Sequence, residues 1–231
     1  MTRRVLAILL LLILAVALYQ ALARVPFGTD RMAVSRYYLD HGVQDLGGVN
    51  IVTSVVVLYR GFDTLGEVTV LFLAATGLGA LLHGLALHDE KRRRTKTPPS
   101  LIMRTATRIL FPLILLLGAY VFVHGHLTPG GGFPGGVVVA LAYLLGFLAH
   151  DHWRVNHRAV RWIEGLAGMT YVIIGLLGLY LAGSFLANFL PPGTPGRLFS
   201  AGIIPLIYIT IGFKVGSEMT GLLSEMKEIT E

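Results

Sequence analysis

Six apolar runs, each close to 20 residues long, restrict what this sequence can fold into. A helix needs about 20 apolar residues to cross a hydrocarbon core of about 30 Å. Lipid offers the backbone no hydrogen-bond partners, so a chain that crosses it as apolar runs of this length must be helical there. The runs cover Val5–Leu22, Thr64–Leu87, Leu101–Val123, Gly135–His150, Ile163–Leu190 and Ala201–Leu223. The sequence therefore predicts an all-α integral membrane protein with about six transmembrane helices.

The composition agrees with this class and excludes several others. Only 14% of the 231 residues are charged, against about 25% in soluble domains. The formal charge of +6 comes from basic residues that lie between the apolar runs, where they set topology, so no nucleic-acid partner is expected. The chain has no cysteine, which excludes disulfides, thiolate zinc sites and cysteine-held iron–sulfur clusters. We therefore expect no cofactor on this chain, and any redox chemistry would belong to a partner.

The distribution of lysine and arginine predicts the orientation of the spans. If the N-terminus is cytoplasmic, 13 of the 19 basic residues fall on the cytoplasmic side and 5 on the outer side. This excess fits the positive-inside rule and predicts that both termini are cytoplasmic. The first run, followed by Ala21-Leu22-Ala23, also resembles a signal peptide with its cleavage site. Its length of about 18 residues favours a retained span.

The chain is predicted to contain two modules. Residues 1–87 hold two spans and a polar outer loop, and residues 101–231 hold four spans with short loops. Residues 88–100 between them are strongly basic and then broken by prolines, as in a cytoplasmic linker beside anionic lipid. The interpretation is a fusion of two originally separate genes at this linker.

A first polar cluster lies between the first two spans. The segment near 49–60 is apolar but too short to cross, and we interpret it as a short helix or re-entrant segment. Asp63 or Thr64 is placed to cap the second span, because Thr64 and Glu67 have the spacing of a capping box. Asp63 and Glu67 are also four residues apart on one helix face, where they could pass a proton or cation inward. Both roles are compatible.

A second cluster is the glycine-rich loop at 125–136, which follows His124 and contains His126. It lacks the Gly-Lys-Ser/Thr ending of a phosphate-binding loop. Its backbone must be shielded by protein or line a wet cavity, where carbonyl groups could bind a cation such as Na⁺. His124 and His126 are expected to form hydrogen bonds or relay protons, and two imidazoles alone do not make a metal site. The loop residues that we predict to be structural are Pro129, Gly130, Gly131, Gly132, Gly135 and Gly136.

A third cluster lies in the last span. Lys214 and Glu218 are four residues apart and can pair on one helix face. If the helix leaves the membrane near Leu222, Lys214 lies roughly 12 Å below the surface and would be a desolvated, switchable proton carrier. If the span ends near Gly216, the ammonium simply reaches the headgroups.

These clusters resemble a known family. Three segments resemble the B subunit of the Mrp-type multisubunit Na⁺/H⁺ antiporters. They are Arg104-Thr105-Ala106, Phe111-Pro112 and the run from His124-Gly125-His126 to Gly136. Gly212-Phe213-Lys214-Val215-Gly216 looks like the last helix of that subunit. Asn50-Ile51-Val52-Thr53 and the run from Tyr59 to Glu67 are similar to the C-terminal part of the large A subunit. The same segment is a small separate subunit in membrane-bound hydrogenases.

The resemblance implies a multi-pass subunit in the inner membrane of a prokaryotic cell. Its expected partners are other Mrp-type subunits, of the A, C, D, E, F and G types, and the transported ions would be Na⁺ and H⁺. Carried onto this sequence, the expected ion-path residues are Asp63, Glu67, His124, His126, Lys214 and Glu218.

Two alternatives remain open at the level of sequence. Because an ordinary B subunit has only the four-span part, the parent complex could instead be an ion-pumping hydrogenase or a related redox complex. The chain could also be a purely structural clamp for neighbouring subunits. Close helix packing through small residues would fit a clamp, and the glycines concerned are Gly77, Gly79, Gly84, Gly165, Gly168, Gly175 and Gly178.

Overall fold

The computed structural model describes residues 2–25, 32–88 and 98–230, and all the regular structure in these ranges is helical. The linker predicted at 88–100 falls mostly outside the described residues. The helices are α1 (Thr2–Ala23), α2 (Ala33–Leu46), α3 (Ile51–Ser54), α4 (Gly61–His88), α5 (Leu101–Val123), α6 (Gly132–Ala149), α7 (His157–Ala182) and α8 (Ile204–Thr230).

Six of the described helices are long and apolar enough to cross a membrane. These segments are Arg4–Ala23, Gly61–Leu82, Leu101–Val123, Gly132–Ala149, His157–Ala182 and Ile204–Glu228. At most of their ends, these segments agree with the six predicted runs to within a few residues. This agreement confirms the predicted fold class. The greatest differences lie at the start of α7 and at the ends of α7 and α8. The cytoplasmic location of both termini stays a prediction.

The segment before α4 is more helical than expected. The short helix predicted near 49–60 is present as α3, and a π-helical turn at Val55–Tyr59 continues it. The preceding residues, which the sequence suggested were an outer loop, form α2. The axis turns by 88° between Ala33–Leu46 and Ile51–Tyr59, and the bent pair together is apolar enough to form one broken span or a re-entrant segment.

The chain divides into two compact units. The first is Met1–Tyr37 and contains α1, whose large apolar side chains are exposed along its length, as suits a helix surrounded by lipid or partner subunits. The second is Tyr38–Glu231 and contains every helix from α3 onwards.

Helix α8 is the centre of the second unit and contacts α4, α5, α6 and α7. Its apolar core residues are fully or almost fully buried, among them Ile204, Ile207, Ile211 and Val215. Glycines let α6 approach two helices at once. A Cβ at Gly135 would lie 2.9 Å from a carbonyl oxygen of α5, and one at Gly136 would lie 2.8 Å from a carbonyl oxygen of α8. In lipid, such close backbone approach is a main source of helix association.

The prediction of close packing at other glycines is only partly right. Gly79 of α4 lies against Glu225 of α8, whereas Gly175 and Gly178 lie against Phe185 and Ala187 of the irregular segment that follows α7. Nothing in the described chain lies within 4 Å of a Cβ at Gly77, Gly84 or Gly165. Those positions therefore do not join helices of this chain to one another.

Candidate functional site

Lys214 lies in the middle of α8 and is buried, with a relative exposure of 7%. Its ammonium donates hydrogen bonds to two carboxylates, at 2.7 Å to Glu164 Oε1 and at 3.0 Å to Glu218 Oε2. Helix α8 continues to Thr230, and the depth at which Lys214 lies in the membrane stays a prediction. The lysine side chain is held between these two protein carboxylates.

Glu164 is the member of this cluster that the sequence interpretation missed. It lies on α7, 50 residues from Lys214 in the chain, and its side chain is 21% exposed. Local spacing could reveal the i,i+4 pair of Lys214 and Glu218 but not a partner from another helix. A charged residue within an apolar run is itself a signal, and Glu164 is one. The aromatic ring of Phe72, on α4, completes the surroundings at 5.1 Å from the ammonium nitrogen.

The positive and negative charges of the cluster do not balance. One ammonium lies between two carboxylates, so the fully ionised cluster of Glu164, Lys214 and Glu218 carries a net charge of −1. The second oxygen of Glu218, Oε1, is buried and has no hydrogen-bond partner among the described residues. A buried, unbalanced negative charge is costly, and binding either one proton or one monovalent cation removes it.

Two cavities meet at the cluster. The smaller, about 330 Å³, is lined by Lys214, Glu164 and mostly apolar residues of α4, α7 and α8. The larger, about 700 Å³, is lined by Arg161 and by four carboxylates, those of Glu164, Glu218, Glu225 and Glu228. Glu164 and Phe72 line both cavities. The larger cavity extends towards the ends of α7 and α8 that are predicted to be cytoplasmic, where His157 Nε2 and Glu228 Oε1 are 2.7 Å apart.

The glycine-rich loop is a structural joint in this chain. Asn50 donates from its side chain to the carbonyl oxygens of Gly125 and Thr128 and from its backbone to that of His126. Thr53 Oγ1 also donates to the Gly125 oxygen, and Tyr208 of α8 donates to Thr53. These contacts provide the predicted shielding. They also occupy the carbonyls that the sequence suggested for Na⁺, so a cation there would compete with protein donors.

Glycine is required where this loop turns into α6. Gly131 has φ 139° and ψ −174°, a region that is essentially restricted to glycine. A Cβ there would also lie 2.9 Å from the ring of Tyr208. Gly130, with φ 152°, is constrained in the same way. Pro129 precedes both and is exposed. The predicted end of the loop at Gly136 is wrong, because α6 begins at Gly132 and its first turns bury Gly132, Gly135 and Gly136.

The two histidines of the loop have different surroundings. His124 stacks on Tyr120 and bonds to its carbonyl oxygen at 3.1 Å. His126 is fully buried, and its Nε2 donates to the carbonyl oxygen of Leu198 at 3.1 Å. Its Nδ1 has no partner in the described chain. Burial lowers the pKa of His126, so the imidazole is held in its neutral form.

The polar residues at the start of α4 lie apart from the Lys214 cluster. The helix begins at Gly61, and the Thr64 hydroxyl donates to the Val56 carbonyl oxygen, so the predicted cap at Asp63 or Thr64 is wrong. Asp63 forms an ion pair with Arg60, and both side chains are at least half exposed. Glu67 is exposed as well. Of the six predicted ion-path residues, the structure thus brings only Lys214 and Glu218 into one cluster, and a role for any of the six stays a prediction.

The fold and this cluster define a multi-pass helical membrane subunit that holds ionisable groups between its helices. Residues 102–221 match the model of a family described as a domain related to the MnhB subunit of the Na⁺/H⁺ antiporter, and residues 2–94 match one described as the E subunit of MBH. The first match covers slightly more than half of the chain. The chain belongs to the family of MnhB-related domains, and it is a transporter-type subunit of a prokaryotic membrane.

Individual proteins and solved structures are also similar to this chain. An uncharacterized protein of Methanocaldococcus jannaschii, MJ1307, is 31% identical over 207 residues, which cover 79% of this chain and 77% of that protein. A chain of the membrane-bound sulfane sulfur reductase, an archaeal respiratory membrane complex, is 51% identical with a TM-score of 0.76, and the match covers 98% of both chains. A chain of the Mrp complex from Dietzia sp. is 28% identical with a TM-score of 0.71. That match covers 97% of this chain but only 26% of the Dietzia chain.

Proposed function

We propose that this chain forms part of a cation/proton exchange path in a larger membrane complex, with the cluster of Glu164, Lys214 and Glu218 as the exchange site. The observation that supports the proposal is the charge balance of the cluster. Two carboxylates, the buried one of Glu218 and the partly buried one of Glu164, share one ammonium, and Glu218 keeps an oxygen without a partner among the described residues. A proton and a monovalent cation would compete to neutralise the same excess charge, and such competition is the basis of antiport.

In this proposal, the two cavities would let ions reach the site from two directions. A cation that enters the larger cavity would meet Glu228 and Glu225 before Glu218 and Glu164. The smaller cavity continues on the other side of the cluster along α4 and α7. The ammonium of Lys214 would act as a resident cation that shifts between the two carboxylates as one of them is neutralised. Na⁺ is the cation that the family description suggests.

The experiment replaces each carboxylate by its neutral isostere, Glu164→Gln and Glu218→Gln, in the complete complex. We expect both variants to assemble and to lose cation-dependent dissipation of a pH gradient in inverted membrane vesicles. Ser217→Ala is the matched control, because Ser217 is buried beside Glu218 but its hydroxyl donates only to carbonyl oxygens of its own helix. Exchange at the wild-type rate in both glutamine variants would refute the proposal.

We propose further that the partners are other subunits of the Mrp type, since the Mrp complex contains a chain of the same fold. A second candidate for the parent complex is a respiratory redox complex. It is favoured by the 51% identity over 98% of both chains with the sulfane sulfur reductase structure. In that case this subunit would still carry the exchange path, and the redox centres would lie on partner chains.

Mild purification followed by mass spectrometry of the copurifying subunits distinguishes the two parent complexes. Large antiporter-like subunits without redox proteins would identify an antiporter. Iron–sulfur subunits in the same particle would identify the redox complex. Purification of the chain without any partner would contradict both assignments.

A further inference from the structure

The geometry points to a lipid-binding site on the outer face of α7. We name this face the α7 groove, and we infer that it binds one anionic phospholipid of the surrounding membrane, headgroup and acyl chain together. The groove is a surface cavity of about 450 Å³. The inference goes beyond the exchange path proposed above and does not depend on it. The six residues that line the groove are Arg158, Arg161, Trp162, Gly165, Leu166 and Met169.

The shape of the groove follows from helical spacing. Its residues recur at intervals of three and four, so they form a single stripe along α7. Gly165 lies in the middle of the stripe, and nothing is within 4 Å of the position that its Cβ would occupy. The missing side chain leaves a notch between Trp162 and Met169, which are 65% and 57% exposed. An acyl chain can lie in this notch against apolar side chains.

The charge at one end of the groove matches an anionic headgroup. Arg158 and Arg161 lie in the first turns of α7, three residues apart on the same face, and both are exposed. Across the described parts of the chain, neither guanidinium has a carboxylate within ion-pair distance. Arginine binds phosphate through two parallel hydrogen bonds, so this pair can hold a phosphodiester.

The length of the groove matches one leaflet of a bilayer. Arg158 and Met169 are 11 residues apart, which is about 16 Å along a helix that rises about 1.5 Å per residue. Half of a hydrocarbon core is about 15 Å thick. Trp162, one turn below Arg158, takes the interfacial level at which tryptophan is enriched in membrane proteins. A phosphate held by the arginines would therefore leave its chain lying along the apolar part of the groove.

A bound lipid would also affect the neighbouring cavity. Gly165 and Met169 line both the α7 groove and the smaller cavity that contains Lys214 and Glu164. An acyl chain in the groove would close the lateral opening of that cavity and separate its charged groups from mobile lipid. The lipid would thus complete a wall that this chain leaves open.

The test is a binding titration on the purified complete complex, with phosphatidylglycerol and phosphatidylcholine as probes and native mass spectrometry as the readout. The double variant Arg158→Gln, Arg161→Gln removes the headgroup contacts. Each basic residue near a membrane contributes about a fivefold gain in anionic-lipid affinity, so the loss for two should be about 30-fold. The variant Arg158→Lys, Arg161→Lys keeps the charge and should retain most of the preference.

The matched control is Arg104→Gln, Arg108→Gln, which removes two exposed arginines from α5 on the same predicted side of the membrane. It should leave the preference for phosphatidylglycerol unchanged. An equal loss in both double variants would overturn the inference, because it would show a general surface-charge effect. A partner subunit that crosslinks to position 162 in a wild-type complex without bound phosphatidylglycerol would also overturn it.

Discussion

Replacement of Lys214 by methionine should destabilise the subunit strongly, because it leaves the buried carboxylate of Glu218 and the partly buried carboxylate of Glu164 without their shared cation. The contacts of 2.7 and 3.0 Å correspond to attractions of about 5–6 kcal/mol each at an effective dielectric constant of about 20. Desolvation of the three groups offsets much of this attraction. Measurements on buried ion pairs place the cost of removing one partner at about 3–5 kcal/mol, and we expect a loss in this range for Lys214→Met.

The assay is thermal dissociation of the purified complex, followed by release of this subunit. A loss of about 1 kcal/mol lowers the melting temperature of a chain of this size by about 2–4 °C, so the single variant should dissociate roughly 6–20 °C below wild type. The triple variant Lys214→Met, Glu164→Gln, Glu218→Gln removes all three charges of the cluster. It should recover most of the lost stability, because neutral or apolar replacements of whole buried clusters are well tolerated.

The two variants together separate stability from transport. Both should be inactive in the vesicle assay, but only the single variant should dissociate early. If Lys214→Met dissociates at the wild-type temperature, the carboxylates do not depend on Lys214 for neutralisation and the reasoning fails. If the triple variant is no more stable than the single one, the loss comes from packing and not from unbalanced charge.

Three further predictions concern the loop and the end of α8. Burial lowers the pKa of His126 from 6.5, so at acidic pH the unfolded chain binds more protons than the folded chain. The contribution of His126 to stability is therefore complete above pH 6.5 and falls at lower pH. His126→Gln should reduce this fall when dissociation temperatures are compared at about pH 5 and about pH 7.5. Gly131→Ala should cost about 1–3 kcal/mol in the same assay, whereas Gly66→Ala, where a Cβ meets nothing within 4 Å, should not. Lys227 donates to three carbonyl oxygens in the segment after α6. Lys227→Met should therefore lower stability by about 1.5–3 kcal/mol, and Lys227→Arg should lower it by less. An equal loss of stability in the two variants would contradict this role.

The transmembrane helices were predictable because their signal is local. Each span needs only a run of apolar residues of sufficient length, and the six runs correspond to α1, α4, α5, α6, α7 and α8. Helix α2 was missed because its residues have low mean hydropathy and form no apolar run. The start of α4 was placed three residues late, since a favourable capping sequence at Thr64 outweighed the continuity of the helix with the π-helical turn before it.

The candidate site was predictable only as far as it lies on one helix. The spacing of Lys214 and Glu218 revealed their contact, because residues four apart share a helix face. The contact with Glu164 depends on how α7 packs against α8, which no local pattern encodes. The glycine loop illustrates the same limit. Its need for shielding followed from its composition, but the donors Asn50 and Tyr208 come from distant parts of the chain.

The hydrogen bonds from Asn50 and Thr53 to the glycine loop join the two regions that match separate family models. When two such regions are separate polypeptides, this joint must form by association and depends on how much of each is made. In a single chain, one translation event supplies both in a fixed ratio of one to one, and the tether holds each at a millimolar effective concentration around the other. Translation of this single chain therefore supplies the two matched regions in equal numbers.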